Sequence, residues 1–368
     1  MFAALLLALA PQTSVTRSEL AQAYERFERV YFAAKLEPER KRELNRAYDE
    51  ACLAYFGGEQ RKLVDELERM SLALGAQPDA PPPEEKPYDW DGCRMTMLVT
   101  LSKLTVTSPA IEQALCARAR AALLHTHPSP DKPTEFRVDR RALATALDRE
   151  IGALERGDDP YSRATGDLWR VLRIPEGELP VRIYAPTQAA KDTPLPLVIA
   201  LHGARGDENM FLEGYGCGRI RDLAEQHGFL LACPRSSGKL TPETIDALVR
   251  ALGYDYAIDE KRIGLVGHSM GAALAARLAS ESPGRYCALA CFSGGPREDA
   301  QELPPTWIRV GVIDQLADPA GMQAIAQKRK ERGFAIDFQT LPDVGHTLIV
   351  GEELAGAIDW VLGHRRSE

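Results

Sequence analysis

The sequence predicts an α/β fold, in which a doubly wound, mostly parallel sheet follows an all-helical N-terminal region. After residue 160, continuous apolar runs alternate with helical stretches, as is typical of parallel strands that helices cover on both faces. Before residue 160, apolar residues recur every three or four positions between Gly and Pro breaks, as is typical of amphipathic helices. The 368 residues are enough for two domains, and we place the boundary near residue 160.

The composition excludes several classes of protein. The 45 Lys and Arg residues against 53 Asp and Glu residues give a net charge of −8, which leaves no electrostatic footprint for nucleic acid. Seven cysteines without a CxxC pair favour neither a disulfide scaffold nor a zinc site. We therefore expect a protein with a sizeable hydrophobic core, without a nucleic-acid partner and without a bound metal.

Residues 1–16 carry an apolar leader. Phe2–Ala10 is about half as long as the ~20 residues that span a membrane, so no integral membrane span is expected. Its length does suit the apolar centre of a secretory signal, and Ala8-Leu9-Ala10 has the form of a cleavage site. Pro11 and the lack of basic residues count against cleavage. Export (periplasmic or secreted) and a cytoplasmic location both stay open.

Residues 17–160 predict helices interrupted by a proline-rich linker. Five prolines within Pro78–Pro87 predict a stiff, extended segment. The helical pattern does not reveal whether this region docks on the C-terminal domain, covers its entrance or binds a partner. Helices are expected over Ser18–Lys35, Glu39–Phe56, Glu59–Leu74, residues 93–127 with a restart at Pro109, and Arg137–Arg156.

Residues 161–368 predict strands that alternate with helices. The runs Leu168–Ile174 and Val181–Tyr184 flank a Pro-Glu-Gly turn and predict an antiparallel hairpin. Buried strands are expected over Leu197–Leu201, Phe229–Cys233, Ile263–Val266, Cys287–Phe292, Ile308–Ile313 and Ala335–Leu341. Helices are expected over Met210–His227, Pro242–Leu252, Met270–Glu281 and Ala320–Arg332.

The segment Gly267-His268-Ser269-Met270-Gly271 matches the pattern G-x-S-x-G between a predicted strand and a predicted helix. Glycines on both sides permit a sharp turn that exposes the Ser269 hydroxyl at the carboxyl end of the strand. The N-terminus of the following helix stabilises negative charge at this point. The motif therefore predicts a nucleophilic serine.

Together with Leu201-His202-Gly203, Gly311-Val312-Ile313-Asp314 and Gly345-His346, this motif makes residues 168–365 resemble the serine esterases of the α/β-hydrolase fold. The similarity is to carboxylesterase/phospholipase-like and polyhydroxybutyrate-depolymerase-like enzymes. It implies an α/β-hydrolase sheet and a catalytic triad in the chain order Ser, Asp, His.

The remaining triad members follow from their places after strands. His346 lies in the loop after the last predicted strand and is the candidate general base. Asp314 ends the strand Ile308–Ile313 and is the candidate acid that orients the histidine. Asp318 is the alternative acid; the family pattern favours Asp314.

An oxyanion hole needs two main-chain N–H groups. We expect one from Met270, and the resemblance favours Ala204 for the other. Gly203 lets the backbone approach the substrate, and Tyr215, within the loop Gly214–Gly218, is a candidate wall of the pocket together with Phe211. His202 is expected to be structural, and His125 and His127 lack a carboxylate partner for a metal site.

These residues predict a serine hydrolase that cleaves carboxylic esters through an acyl-enzyme and needs no cofactor. The substrate would be a small-molecule or polymer-attached ester. A serine peptidase of the oligopeptidase type and a non-catalytic binding protein on a hydrolase scaffold are the alternatives.

Overall fold

The computed structural model describes residues 15, 17–77, 88–104, 109–123, 140–175, 177–236 and 240–366. Three features singled out in the sequence lie outside these residues: the apolar leader apart from Val15, the linker at 78–87, and the pair His125 and His127. The other candidate residues all lie within the described ranges.

The described part of the N-terminal region is helical and forms two groups of three helices with separate cores. Phe27, Leu63 and Leu67 are fully buried in the first core, and Ala117 and Leu147 in the second. The first group comprises α1 (Arg17–Ala33), α2 (Pro38–Phe56) and α3 (Gln60–Ala73); the second comprises α4 (Trp90–Lys103), α5 (Ala110–Leu123) and α6 (Arg140–Glu155).

The C-terminal half contains an eight-stranded sheet in the described residues, and the predicted α/β-hydrolase fold class is confirmed. Its strands are β1 (Gly166–Ile174), β2 (Gly177–Ala185), β3 (Leu195–Leu201), β4 (Leu230–Pro234), β5 (Ile258–His268), β6 (Leu289–Phe292), β7 (Thr306–Gly311) and β8 (Ile336–Leu341). Their spatial order is β1-β2-β4-β3-β5-β6-β7-β8. The β1–β2 and β2–β4 pairs are antiparallel, and the other pairs are parallel.

Helices cover both faces of this sheet. They are α7 (Ile220–His227), α8 (Pro242–Asp255), α9 (Met270–Glu281), α10 (Pro319–Glu331) and α11 (Ile349–Leu362). Side chains alternate between faces along a strand, so Leu197 and Ile199 of β3 join one core while Val198 and Ala200 join the other. None of the helices in the described ranges is long and apolar enough to cross a membrane.

The helix predicted over Met210–His227 is confirmed only for its second part, Ile220–His227, and is wrong before it. A π-helical turn occupies Met210–Gly214, a 3₁₀ turn occupies Tyr215–Gly218, and α7 begins only at Ile220. Gly216 and Cys217 have φ values of 60° and 56°, which a continuing helix does not allow. A Cβ at Gly216 would lie 3.0 Å from the Gly351 Cα of α11, so glycine permits this close approach.

Candidate active site

Ser269 occupies the sharp turn between β5 and α9. Its backbone has φ 53° and ψ −119°, a conformation that L-residues rarely adopt. The flanking glycines are required by close packing: a Cβ at Gly267 would lie 2.5 Å from the Gly271 oxygen, and one at Gly271 would lie 2.1 Å from the Leu201 oxygen. The turn therefore presents the Ser269 hydroxyl to a cavity at the carboxyl ends of the strands.

The structure brings Ser269, His346 and Asp314 into hydrogen-bond contact. His346 Nε2 lies 2.9 Å from Ser269 Oγ, and His346 Nδ1 lies 2.9 Å from both carboxylate oxygens of Asp314. Because the Nδ1–H group donates to the carboxylate, Nε2 is left to accept the serine proton. Burial alone would raise the pKa of Asp314, but its bonds to His346 and to the Ala317 amide hold that pKa below its usual value.

The two candidate acids have different surroundings. Asp314 Oδ1 also accepts hydrogen bonds from the N–H groups of Leu316 and Ala317, both at 2.9 Å, so its orientation is fixed. Asp318 instead caps α10, where its carboxylate accepts the Gly321 N–H at 3.0 Å. Of the two, Asp314 is the one in contact with His346.

His268 joins three segments of the site. Its Nε2–H donates to the His346 carbonyl at 2.9 Å, and its Nδ1 accepts the Tyr215 hydroxyl at 2.7 Å. The Tyr215 oxygen in turn accepts the Gly203 N–H at 3.3 Å. Burial, with a smaller contribution from nearby His346, lowers the pKa of His268 to about 3, so the ring is a neutral bridge. His202 is likewise buried and bonds Ser236 and its own loop, which fits the expected structural role.

The predicted pocket residues Gly203, Ala204 and Tyr215 line the same cavity as Ser269. This cavity has a volume of about 260 Å³. Met270 is the first residue of α9, where a main-chain N–H has no acceptor within the helix. Phe211 supports the wall from behind, with its ring edge-to-face on Tyr215 at 4.9 Å.

The N-terminal helices α1 and α2 supply six further residues of the cavity lining, a contribution that sequence reasoning missed. Their contributions lie at helical spacings of three or four, but this spacing is also that of an ordinary helix core and does not name a partner. The lining residues from these helices are Tyr24, Glu28, Tyr48, Asp49, Cys52 and Tyr55.

The described part of the chain contains neither a candidate metal site nor a disulfide. Within those ranges, no group of three His, Cys, Asp or Glu side chains could hold a metal ion. All seven cysteines are described, and none of them forms a disulfide.

Part of the C-terminal half is similar to a known protein family. Residues 223–355 match the Dienelactone hydrolase family. No curated protein matches the chain.

Several solved structures are similar to the C-terminal half. A thermostable esterase is 21% identical, with 54% of this chain and 63% of that chain covered and a TM-score of 0.45. An S-formylglutathione hydrolase from Staphylococcus aureus is 15% identical, with 55% and 98% covered and a TM-score of 0.47. The feruloyl esterase module from Clostridium thermocellum is 13% identical, with 57% and 92% covered and a TM-score of 0.47.

The family match and the sheet agree with each other. The matched residues begin in α7 and end in α11, so they include the turn at Ser269 and the loop that carries His346. They form less than half of the chain, and the helices before residue 160 lie outside them. The C-terminal half of the chain is a domain with the α/β-hydrolase fold, and part of it is similar to the Dienelactone hydrolase family.

Proposed function

We propose that the protein hydrolyses carboxylic esters through an acyl-enzyme on Ser269. The contact that carries this proposal is the 2.9 Å separation of His346 Nε2 and Ser269 Oγ, with Asp314 on the other ring nitrogen. Ser269 Oγ attacks the acyl carbon while His346 takes its proton, and Asp314 stabilises the imidazolium. The main-chain N–H groups of Met270 and Ala204 receive the oxyanion.

Acylation is completed when His346 gives the proton to the departing alkoxide, the alcohol leaves and the acyl-enzyme remains. In the second half of the reaction, water loses a proton to His346 and attacks the acyl carbon; His346 then returns the proton to Ser269 Oγ as the bond to the acyl group breaks and the acid is released. An ester fits better than a peptide because the matching family is named for hydrolysis of a lactone, which is an internal ester. The peptidase alternative remains an outcome of the test.

Changing Ser269→Ala is expected to lower kcat for p-nitrophenyl butyrate by about 10⁶-fold, since the remaining groups act only with the nucleophile. Turnover is measured by release of p-nitrophenolate, and labelling by a fluorophosphonate probe is measured in parallel. Ser282→Ala, at the far end of α9, is the matched control and should keep full activity. Equal rates for Ser269→Ala and wild type would overturn the proposal, and turnover of peptide amides without turnover of esters would favour the peptidase.

A further inference from the structure

Three polar side chains of α2 contact the loop that carries His346. Arg42, Asn45 and Asp49 are spaced by three and four residues, so they lie on one face of the helix. Arg42 pairs with Asp343 at 2.6 Å. Asn45 Oδ1 accepts the Gly345 N–H at 2.8 Å, and Asp49 Oδ2 accepts the His346 N–H at 2.6 Å. The N-terminal region thus bonds the main chain of the histidine itself.

The contact is closely fitted on both sides. A Cβ at Gly345 would lie 2.2 Å from Asp49 Oδ2, so glycine before the histidine lets the helix approach. The Asn45 amide is held in place because its Nδ2 donates to the Tyr31 hydroxyl at 2.8 Å and to the Lys41 carbonyl at 2.9 Å. Asn45 and Asp49 are 1% and 2% exposed, so water does not compete for these bonds.

Asp49 is a second carboxyl group near His346, where it bonds the main-chain N–H, and its burial has an energetic cost. Burial, opposed by the bond and charge of His346 and reinforced by the charge of Asp314, raises the pKa of Asp49 to about 6. No basic side chain of the described residues forms an ion pair with it. Because the folded protein holds the proton more tightly than the unfolded chain, the stability associated with this group is lost as pH rises from about 4 through 6.

We propose that Asp49 is a positioning residue of the active site, which holds the His346 main chain in register with Ser269 and keeps a negative charge beside the imidazole. This inference rests on the proposed function of Ser269. The helical N-terminal region is then part of the catalytic apparatus, because α2 supplies the group. The groups that face Asp49 are His346 and Asp314 from the hydrolase domain and Cys52 on its own helix.

The test compares Asp49→Ala and Asp49→Asn with wild type in ester hydrolysis and thermal unfolding. Asp49→Ala removes both acceptor and charge and should lower kcat by about 10²-fold, with KM nearly unchanged, because the base is displaced. Asp49→Asn keeps an acceptor oxygen, so its loss should be smaller, but the acid limb of its kcat/KM profile should move to lower pH because the imidazolium loses a neighbouring charge. Asp49→Asn should also unfold at the same or a higher temperature than wild type at pH 8, since the buried carboxylate at position 49 is then absent.

Glu50→Ala is the matched control, since Glu50 is the next residue on α2 and is exposed. An Asp49→Asn variant with an unmoved pH profile, or one that loses activity only in proportion to lost thermal stability, would overturn the inference. Failure of the proposed function is separate: wild type would then lack Ser269-dependent turnover, whatever residue stands at 49.

A different observation, the charge of the cavity lining, indicates the class of substrate. Two carboxyl groups, Glu28 and Asp49, line the cavity, and none of its described lining residues is Lys or Arg. Glu28 is 2% exposed, and its oxygens accept the Tyr48 hydroxyl at 3.3 Å and the Cys217 N–H at 3.2 Å. Burial raises the pKa of Glu28 to about 8. Other titratable side chains near Glu28, all of them uncharged at neutral pH, are Tyr24, Tyr31, Tyr48, Cys52 and Tyr215.

We infer that the cavity takes a small, uncharged acyl group and rejects one that carries a carboxylate. This again rests on the proposed function. About 260 Å³ is room for a short chain or a single ring, since a cavity of about 150 Å³ already holds benzene. A carboxylate on the substrate would meet these two acidic groups, and the described lining residues include no Lys or Arg to pair with it.

Paired substrates test this inference: p-nitrophenyl butyrate and p-nitrophenyl hemisuccinate, whose acyl chains are similar in length but differ in charge. Wild type should prefer the butyrate by about 10-fold or more in kcat/KM. The preference should grow as pH rises from 7 to 9 and Glu28 loses its proton, whereas Glu28→Gln should show no such growth. Equal rates on the two esters, or a pH dependence that survives in Glu28→Gln, would overturn it; Glu50→Gln is the control.

Discussion

Replacing Asp314 by Asn is expected to lower kcat for an ester substrate by about 10⁴-fold. The amide of the variant can donate to His346 Nδ1, which would favour the tautomer with its proton on Nε2. That tautomer cannot accept the proton of Ser269, whose oxygen lies 2.9 Å away. The variant should remain folded, because an Asn side chain still offers one oxygen to the N–H groups of Leu316 and Ala317.

The control for this prediction is Asp318→Asn, because Asp318 is the alternative acid of the triad in the sequence analysis. Asn is as good a helix cap as Asp, so the cap on α10 and the activity should both be kept. Steady-state kinetics with p-nitrophenyl butyrate and the unfolding temperature of each variant give the answer. If Asp318→Asn loses activity and Asp314→Asn retains it, the assignment of the acid must be reversed.

Replacing Arg170 by Met is expected to lower the free energy of unfolding by about 3–5 kcal/mol, because it leaves Asp255 as an unpaired buried charge. The two side chains form an ion pair and are 1% and 2% exposed. Arg170 also lies over the ring of Tyr161 at 4.4 Å. The pair joins the edge strand β1 to the last residue of α8, so its loss loosens the side of the sheet that carries the second group of N-terminal helices.

Urea denaturation followed by tryptophan fluorescence measures this effect. The double variant Arg170→Met with Asp255→Leu should regain most of the lost stability, since no buried charge then remains. Arg163→Ala is the control: its partner is Asp192, the two side chains are 56% and 83% exposed, and the cost should be at most about 1 kcal/mol. Equal losses from Arg163→Ala and Arg170→Met would contradict the argument from burial.

The fold class was predictable because it depends on patterns that are local in the chain. Strands buried on both faces have to be continuously apolar, and β3 is buried at every position. The contact of Ser269 with His346 was also within reach, because each residue follows a strand and parallel strands end at one edge of the sheet. Asp314 was separable from Asp318 only through the family pattern, since sequence spacing does not reveal which carboxylate caps a helix.

Tertiary contacts explain what the sequence could not predict. The glycines of Gly214–Gly218 indicate a loop within Met210–His227, but the sequence does not show that Gly216 packs against Gly351. Asn45 and Asp49 read as ordinary polar positions on an amphipathic helix, and their partners lie about 300 residues away in the chain. Helix α11 was not predicted, although its buried side chains belong to the core on one face of the sheet.

The bonds from α2 to the Gly345 and His346 main chain have a consequence for biosynthesis. They join positions separated by 300 and 297 residues, so these bonds cannot form until about 300 further residues have been synthesised after α2. Until the loop with His346 has been synthesised, the aromatic side chains of α1 and α2 that line the cavity lack their partners from the C-terminal half. The nascent chain therefore lacks the assembled site for as long as α1 and α2 are present without that loop.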